Sequence, residues 1–337
     1  GFYSRFRSRL AARVRDGWIR DCHGDLHLDH IHLTRRELLI FDCIEFNDRF
    51  RYVDVANDAA FLAMDLDFHG RPDLSRHFVH RLSLALQDAG LAGVMDFYKC
   101  YRAVVRGKVE TLHSVAHAAP AAERESCAAR ARRYFQLALQ YATLGSRPRV
   151  LVVMGRIGSG KSTLARRLGE TFGWPVVSSD ALRKEMAGLP LFERSDAAVR
   201  ARLYSRTMTE RTYGRLLQAA TRHIRSGHGV ILDATFAQPP LRRRLQRIFA
   251  TQGVDWRLIE VTASDRTVRQ RLRARETRSD EVSDARLEDF EMLSRLYQPP
   301  LEVAASRHIR VNASGSVEAT LARALRELVT LQLQHGS

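Results

Sequence analysis

The sequence lacks the long apolar runs that a membrane-spanning helix or a secretory signal needs. No run approaches the 18 or more apolar residues of a transmembrane helix, and the opening letters GFYSRFR contain no apolar core of a signal peptide. We therefore expect a cytoplasmic protein with no membrane partner.

Cysteine is scarce as well. The four cysteines, Cys22, Cys43, Cys100 and Cys127, all fall in the first half of the chain and form no C-x-x-C pair. This distribution favours reduced thiols over a disulfide framework or a zinc site. The chain has 337 residues, 45% of them hydrophobic, which is enough for about two globular domains.

Lysine is the rarest charged residue. Lys99, Lys108, Lys161 and Lys184 are the only lysines among 54 lysines and arginines, and the formal net charge is +16. Such a charge permits a nucleic-acid partner. The arginines are spread along the chain, however, and no basic stripe is interleaved with aromatic residues as in single-strand binders. We interpret the charge as arginine-rich solvated surface and do not favour nucleic acid.

One motif is informative about chemistry. The letters GRIGSGKS at residues 155–162 fit the pattern G-x-x-x-x-G-K-[ST], after an apolar run at 150–154 and before Leu164, Leu168 and Phe172 at helical spacing. A phosphate-binding loop between a buried strand and a helix has this context. Glycines let the backbone amides turn toward phosphates, Lys161 reaches the β/γ oxygens, and the Ser162 hydroxyl can ligate Mg²⁺. The sequence thus predicts ATP and Mg²⁺ as cofactors, and the predicted nucleotide-binding residues are Gly155, Gly158, Ser159, Gly160, Lys161, Ser162 and Thr163.

The letters LGSRPR at residues 144–149 indicate a linker. We predict one domain over residues 1–145 and another over 149–337. In the second, strand-like runs alternate with helical stretches, which predicts an α/β fold with a parallel sheet and helices on both faces. The first domain is predicted to be mostly helical and to contain a β-hairpin at 31–33 and 38–41. The predicted strands of the second domain are residues 150–154, 176–179, 230–232, 258–261 and 309–311.

Carboxylates follow two of these strands. Asp180 can accept the proton of an acceptor hydroxyl or hold Mg²⁺ through water, and Arg183 can fix an anionic substrate. The alternative for Asp180 is a helix N-cap, which does not exclude a catalytic role. Asp233 ends a buried strand in the Walker B position, where it would hold the metal's water shell.

Arg271 and Arg275 lie four residues apart in the letters RQRLRAR. They would share one helix face and can close over the nucleotide to neutralise charge on the transferred phosphoryl group. A solvated helix face is the alternative interpretation.

The combination of GRIGSGKS, SSDALRK, VILDATF and the RLRAR stretch followed by VSDA resembles a P-loop kinase family. That family includes polynucleotide kinase, gluconate kinase, chloramphenicol phosphotransferase and zeta-toxin-like domains, and the resemblance covers residues 149 to about 315. It implies ATP-dependent phosphoryl transfer with Lys161 and Ser162 on nucleotide and metal, Asp180 toward the acceptor, Asp233 near Mg²⁺, and Arg271 and Arg275 in a lid. It does not identify the acceptor.

The first domain resembles another family. The letters HGDLHLDH at residues 23–30, followed by a hairpin and by FDCIEFND, are similar to the catalytic loop and metal-binding Asp of aminoglycoside phosphotransferases, relatives of protein kinases. The resemblance implies a kinase-like C-lobe with Asp25 as catalytic base and Asp42 as a Mg²⁺ ligand. It further suggests a subfamily in which this domain precedes a P-loop ATP-binding domain.

Two features depart from that pattern. His30 stands where the family has a metal-binding Asn, and an imidazole is a poor ligand for Mg²⁺. The sequence begins about twenty residues before the catalytic loop, with no N-terminal lobe, so we expect a truncated family member, or a gene model lacking its start, with impaired activity. A metal site built from His23, His27, His30 and His32 with Asp25 and Asp29 is one rival, and a structural Asp–His network is another.

Together these observations predict an ATP-dependent phosphotransferase acting on a small hydroxyl-bearing molecule. A polynucleotide-end kinase and a nucleotide-dependent switch without an acceptor are the alternatives.

Overall fold

In the computed structural model, which describes residues 2–116, 119–275, 282–284 and 286–335, the chain divides between Ser146 and Arg147. The first unit comprises Gly1–Ser146 with Gln332–Ser337, and the second comprises Arg147–Leu331. The predicted second domain ran to residue 337, whereas the chain from Gln332 onward groups with the first unit. The Gln332 side chain lies beside Gly145, which also belongs to the first unit.

The first unit is mostly helical and carries two short antiparallel strand pairs. β2 and β3 form the expected hairpin, with Ile31 opposite Ile40. β1 and β4 also pair, with Ile19 opposite Asp54, which the sequence did not indicate. The elements are α1 (Phe2–Arg15), β1 (Ile19–Asp21), β2 (Ile31–Leu33), β3 (Leu38–Ile40), α2 (Asp48–Arg51), β4 (Tyr52–Asp54), α3 (Val55–Phe68), α4 (Pro72–Leu86), α5 (Ala92–Ser114) and α6 (Ala121–Leu144).

Helix α3 is the centre of this unit. Asp54 caps its N-terminus by accepting the Ala56 N–H at 2.9 Å. Small residues on one side let α3 pack closely on α5, while on the other Phe68 stacks on Tyr134 of α6 with ring centroids 3.8 Å apart. Lys99 of α5 is buried and donates to an Asp67 carboxylate oxygen at 2.9 Å.

The second unit is built on a five-stranded parallel sheet in the order β6-β7-β5-β8-β9. All five strands coincide with the predicted runs to within a few residues, and the α/β fold class is confirmed. The elements are β5 (Arg149–Gly155), α7 (Lys161–Phe172), β6 (Val176–Ser178), α8 (Ser179–Ala187), α9 (Ala197–Leu203), α10 (Arg206–Arg225), β7 (Val230–Asp233), α11 (Pro239–Thr251), β8 (Asp255–Thr262), α12 (Asp265–Arg275), α13 (Phe290–Leu296), β9 (His308–Asn312) and α14 (Val317–His335).

The central strand β5 is buried on both faces. Val150, Val152 and Met154 pack in one cluster with side chains of α10 and α11. Because successive side chains of a strand point to opposite faces, Leu151 and Val153, which are also fully buried, lie on the other face. The carboxyl ends of β5 and β7 meet at one edge of the sheet, and polar side chains follow both strands there. No helix among the described residues is both long and apolar enough to cross a membrane.

Candidate functional site

The phosphate-loop motif joins β5 to α7. Gly160 lies immediately before α7 with a φ of 100°, and Gly158 has a φ of 66°, both in the left-handed region that favours glycine. A Cβ on Gly155 would come within 2.4 Å of the Val261 carbonyl oxygen. Glycine is therefore required at these positions for a loop that brings its backbone against the neighbouring strand.

Lys161, Ser162 and Asp233 lie together at the edge of the sheet. Asp233 ends β7 beside Val153 of β5, and both Lys161 and Asp233 are more than nine-tenths buried. Burial raises the pKa of the Asp233 carboxyl, while the Lys161 ammonium and the Ser162 hydroxyl lower it. Ionisation of this carboxyl is thus costly, and the Lys161 ammonium offsets part of that cost.

Two buried polar atoms at this edge have no hydrogen-bond partner among the described residues: Asp233 Oδ1 and Ser159 Oγ. A buried carboxylate oxygen without a partner is rare unless a ligand or ion completes it. Carboxylate and hydroxyl oxygens are the protein ligands that Mg²⁺ accepts, usually with several waters retained. Asp233 and Ser162 therefore fit the predicted Mg²⁺.

Asp233 and Ser162 border a cavity of about 500 Å³, a volume typical of small-ligand sites. The predicted phosphate and metal side, the predicted acceptor side and the predicted lid all contribute to its wall. Among the lining residues are Gly160, Ser162, Thr163, Asp180, Asp233, Arg271 and Arg275. The structure thus brings together most of the sequence-predicted residues of the second domain around one space.

Asp180 lies in the first turn of α8. The N-cap of this helix is Ser178, whose Oγ accepts the Ala181 N–H at 3.5 Å, so the N-cap interpretation of Asp180 is wrong. Asp180 Oδ1 instead accepts a hydrogen bond from Arg183 at 3.1 Å. The buried Arg183 guanidinium also stacks on the Tyr204 ring at 4.4 Å. Asp180 is therefore oriented by Arg183 and free to face the cavity.

Arg271 of α12 is anchored to the phosphate loop. Its guanidinium donates to the Ser159 carbonyl oxygen at 2.9 Å and to the Ala313 carbonyl oxygen at 2.5 Å. Burial and the nearby Arg275 lower the pKa of Arg271. The solvated-face interpretation is therefore wrong for Arg271. Residues 276–281 and Ala285 of the predicted lid lie outside the described residues.

The sequence did not single out a buried ion pair between Lys184 of α8 and Asp284. Lys184 Nζ lies 3.5 Å from Asp284 Oδ1, and both side chains are buried. Asp284 also accepts hydrogen bonds from the backbone N–H and the hydroxyl of Ser195. Lys184 is one of only four lysines in an arginine-rich chain, and this rarity was the one available signal.

In the first unit the structure brings Asp25, His30 and Asp42 together. His30 Nδ1 lies 2.9 Å from the Asp25 carbonyl oxygen, and His30 Nε2 lies 3.3 Å from Asp42 Oδ2. Asp58 holds the preceding turn because its carboxylate accepts the backbone N–H groups of His23 and Gly24. A hydrogen bond from His27 lowers the pKa of Asp25.

Comparison with known proteins found a family match within the second unit and relatives of part of the chain. Residues 150–300 match the family model described as AAA_33, AAA domain. An uncharacterized protein of Mycobacterium tuberculosis is 40% identical over 244 residues, which are 72% of this chain and 47% of that protein, and a Mycobacterium bovis protein matches equally. The chain spans about half the length of these relatives. A shikimate kinase of Gloeobacter violaceus is 40% identical over 86 residues, 24% of this chain and 45% of the enzyme.

Several solved structures resemble part of this chain. A gluconokinase from Sinorhizobium meliloti 1021 is 18% identical with a TM-score of 0.37, covering 55% of this chain and 94% of that protein. An APS kinase of Mycobacterium tuberculosis in complex with AMPPNP and APS is 20% identical with a TM-score of 0.39, covering 55% and 97%. At these sequence identities and TM-scores, the substrates of those enzymes cannot be assigned to this chain.

Proposed function

We propose that the second unit is an ATP- and Mg²⁺-dependent kinase that transfers the γ-phosphoryl group to a small hydroxyl-bearing acceptor. The observation that carries the proposal is the buried Asp233 carboxylate, with one unpaired oxygen, beside Lys161 and Ser162 at the wall of a cavity that Asp180 also lines. A cation, a carboxylate and a phosphate-type loop meeting in one cavity suit phosphoryl transfer, which needs positioning and charge neutralisation more than covalent help.

Nucleotide binding falls to residues 155–163. The backbone of Gly155, Gly158, Ser159 and Gly160 cradles the phosphates, and the N-terminus of α7, a twelve-residue helix, favours their negative charge. Lys161 pairs with the β/γ oxygens and Thr163 completes the loop. Ser162 and Asp233 would hold Mg²⁺, which would supply charge neutralisation during phosphoryl transfer.

The acceptor side is formed by Asp180 and Arg183. Asp180 takes the proton of the acceptor hydroxyl, the acceptor oxygen forms its bond to the γ-phosphorus, and the bond from that phosphorus to the bridging oxygen breaks to release ADP. Arg183 orients Asp180 and provides a cation for an anionic acceptor. Arg271 and Arg275 neutralise the charge that develops on the transferred group.

For the first unit we propose a kinase-like C-lobe with impaired phosphotransfer. The juxtaposition of Asp25, His30 and Asp42 supports it, with Asp25 as base and Asp42 as metal ligand. His30 in the place of an amide ligand weakens Mg²⁺ binding there.

The test is Mg²⁺-dependent ATP binding and turnover by the full chain against a panel of sugars, small alcohols and oligonucleotides. Lys161→Ala should abolish binding and turnover, whereas Lys108→Ala, at an exposed lysine of α5, should change neither. Asp180→Asn should lower kcat by roughly 10²–10⁴-fold while ATP affinity is retained. Turnover that survives Lys161→Ala but falls with Asp25→Ala would place the working site in the first unit. Tight ATP binding without turnover on any acceptor would instead favour a nucleotide-dependent switch.

A further inference from the structure

Three side chains in the first unit lie at the spacing of metal ligands. His27 Nε2 is 3.5 Å from Asp25 Oδ2, and His30 Nδ1 is 3.8 Å from the same oxygen. One donor atom from each of these residues lies within 4.8 Å of the others. The ligands of a tetrahedral ion with bonds of about 2.0–2.1 Å are separated by about 3.3 Å. The separations of the three donors would therefore have to shrink by a few tenths of an ångström to about 1.5 Å to close around one ion.

The outer nitrogens of both histidines face carboxylates. His27 Nδ1 lies 3.5 Å from Asp29 Oδ2, and His30 Nε2 lies 3.3 Å from Asp42 Oδ2. His27 Nδ1 is buried and has no hydrogen-bond partner within the part of the chain that the structure describes. In protein metal sites a ligating histidine almost always directs its other ring nitrogen toward such a group, which fixes its tautomer and raises its basicity. Both rings thus have a carboxylate within 3.5 Å of the outer nitrogen, and His27 Nδ1 would gain its hydrogen bond to Asp29 by a small side-chain shift.

The backbone that carries the cluster is tied to α3. The Leu28 N–H donates to Asp65 Oδ2 at 3.0 Å, and the ring of the buried His27 packs on Phe61 with centroids 5.2 Å apart. The Asp25 side chain is 40% exposed, which leaves one side of the cluster open to solvent. Three protein ligands on a fixed turn with one open side correspond to a four-coordinate site that retains a water.

We propose that Asp25, His27 and His30 bind a divalent transition-metal ion of the zinc class. Two imidazoles and one carboxylate suit Zn²⁺ or Co²⁺, whereas Mg²⁺ prefers oxygen ligands. This site differs in ligands and in metal class from the Mg²⁺ proposed at Asp42. Binding exchanges the hydrogen bond between His30 Nδ1 and the Asp25 carbonyl oxygen for a metal bond, and it occupies the Asp25 carboxylate, which then cannot act as a base.

The experiment is a titration of the chelator-treated full chain, without nucleotide, with Co²⁺ followed by its visible absorption and then with Zn²⁺ as competitor. The expected result is one equivalent of tetrahedral Co²⁺ that Zn²⁺ displaces and millimolar Mg²⁺ does not. Asp25→Asn and His30→Asn keep the size of the side chains close to the original and should each weaken Zn²⁺ binding by at least about tenfold. His32→Asn, on the exposed face of β2, is the matched control and should leave it unchanged.

Circular dichroism of each variant separates loss of the site from loss of the fold. The proposal is overturned if the folded wild type binds no stoichiometric Co²⁺, or if binding is the same in Asp25→Asn and His30→Asn. It is also overturned by a thiolate-to-metal charge-transfer band, which would show a cysteine ligand, as in the cluster of Glu110, His113 and Cys127 among the described residues.

Discussion

At the scale of single residues, the Asp233 carboxylate that the proposed Mg²⁺ site requires also lowers the stability of the folded chain. Its carboxyl is buried with one oxygen unpaired, and burial raises its pKa. Because the pKa is higher in the folded than in the unfolded chain, ionisation is less favourable after folding. The folded state therefore loses stability as the pH rises from below the unfolded pKa through the folded one.

Asp233→Asn removes that charge while keeping the shape of the side chain. We expect the nucleotide-free variant to unfold at the same or a higher temperature than the wild type at pH 7, and its Mg²⁺-dependent ATP turnover to fall by orders of magnitude. Calorimetry and a coupled ATP assay measure the two quantities. A variant that is strongly destabilised without nucleotide would show that the carboxylate serves the fold instead.

Gly155 gives a second prediction at this scale. Gly155→Ala places a Cβ within 2.4 Å of the Val261 carbonyl oxygen, so the loop or β8 must move. We expect loss of nucleotide binding and a clear loss of unfolding free energy. Gly253→Ala is the control, since Gly253 also has a positive φ, of 62°, but its Cβ would meet nothing within 4 Å. It should cost only about 1 kcal/mol and leave binding intact. Equal effects of the two substitutions in urea denaturation would refute the steric argument.

Among the elements, strand β8 carries a buried carboxylate with three partners. Glu260 is 2% exposed, and its oxygens accept hydrogen bonds from Tyr297 at 2.8 Å and Arg310 at 2.9 Å, with His308 3.2 Å away. Burial opposes ionisation, but these donors prevail and lower the pKa of Glu260 from its ordinary value near 4.5 to about 2. The ionised network therefore stabilises the folded state above about pH 4.5, and this contribution is lost as the pH falls toward 2.

Glu260→Gln tests this assignment. At pH 7 the substitution should lower the unfolding free energy by about 1–3 kcal/mol, because it weakens the hydrogen bonds that the buried carboxylate accepts from Tyr297 and Arg310. The difference from the wild type should shrink as the pH is lowered from 5 toward 2. Glu170→Gln, which removes an exposed pair with Arg167, should change stability by less than about 1 kcal/mol at any pH. A difference that stays constant with pH would contradict the titration of Glu260.

Strands β5 and β8 show how much of the fold can be predicted from the sequence. β5 could be predicted because residues 150–154 are continuously apolar, and the structure extends it only to Arg149–Gly155. β8 was predicted over residues 258–261 but spans Asp255–Thr262, and the charged residues of its first half, Asp255 and Arg257, form ion pairs. The partner of Asp255 in one such pair is Arg149, 106 residues away. A local pattern cannot reveal such a partner.

The candidate site was predictable to a similar extent. The phosphate loop and Asp233 follow from local motifs, and their roles remain predictions. The contacts of Arg271 with the phosphate loop could not be distinguished among 50 arginines before the fold was known. The approach of His30 to Asp42 likewise depends on the hairpin between them.

On the scale of the whole molecule, each of the two units has its own apolar clusters. A ligand that binds only the folded form of one unit stabilises that unit by about 2.7 kcal/mol at a concentration 100 times its Kd. We therefore expect two calorimetric transitions, of which Mg²⁺-ATP raises only the one of the second unit, by several degrees. Lys161→Ala should abolish the shift. A shift of both transitions, or one transition for the whole chain, would show that the units unfold together.

The scarcity of lysine has a practical consequence for labelling. Lys99, Lys161 and Lys184 are buried, and Lys108 on α5 is exposed. Amine-directed reagents need an accessible, uncharged amine, so on the native protein they should attach to one side chain, Lys108, besides the terminal α-amine. A fluorophore or a surface tether can thus be placed at one known point without mutagenesis. Replacing Lys108 by arginine would leave a background on which slow modification of Lys161, and its protection by nucleotide, can be followed by mass spectrometry.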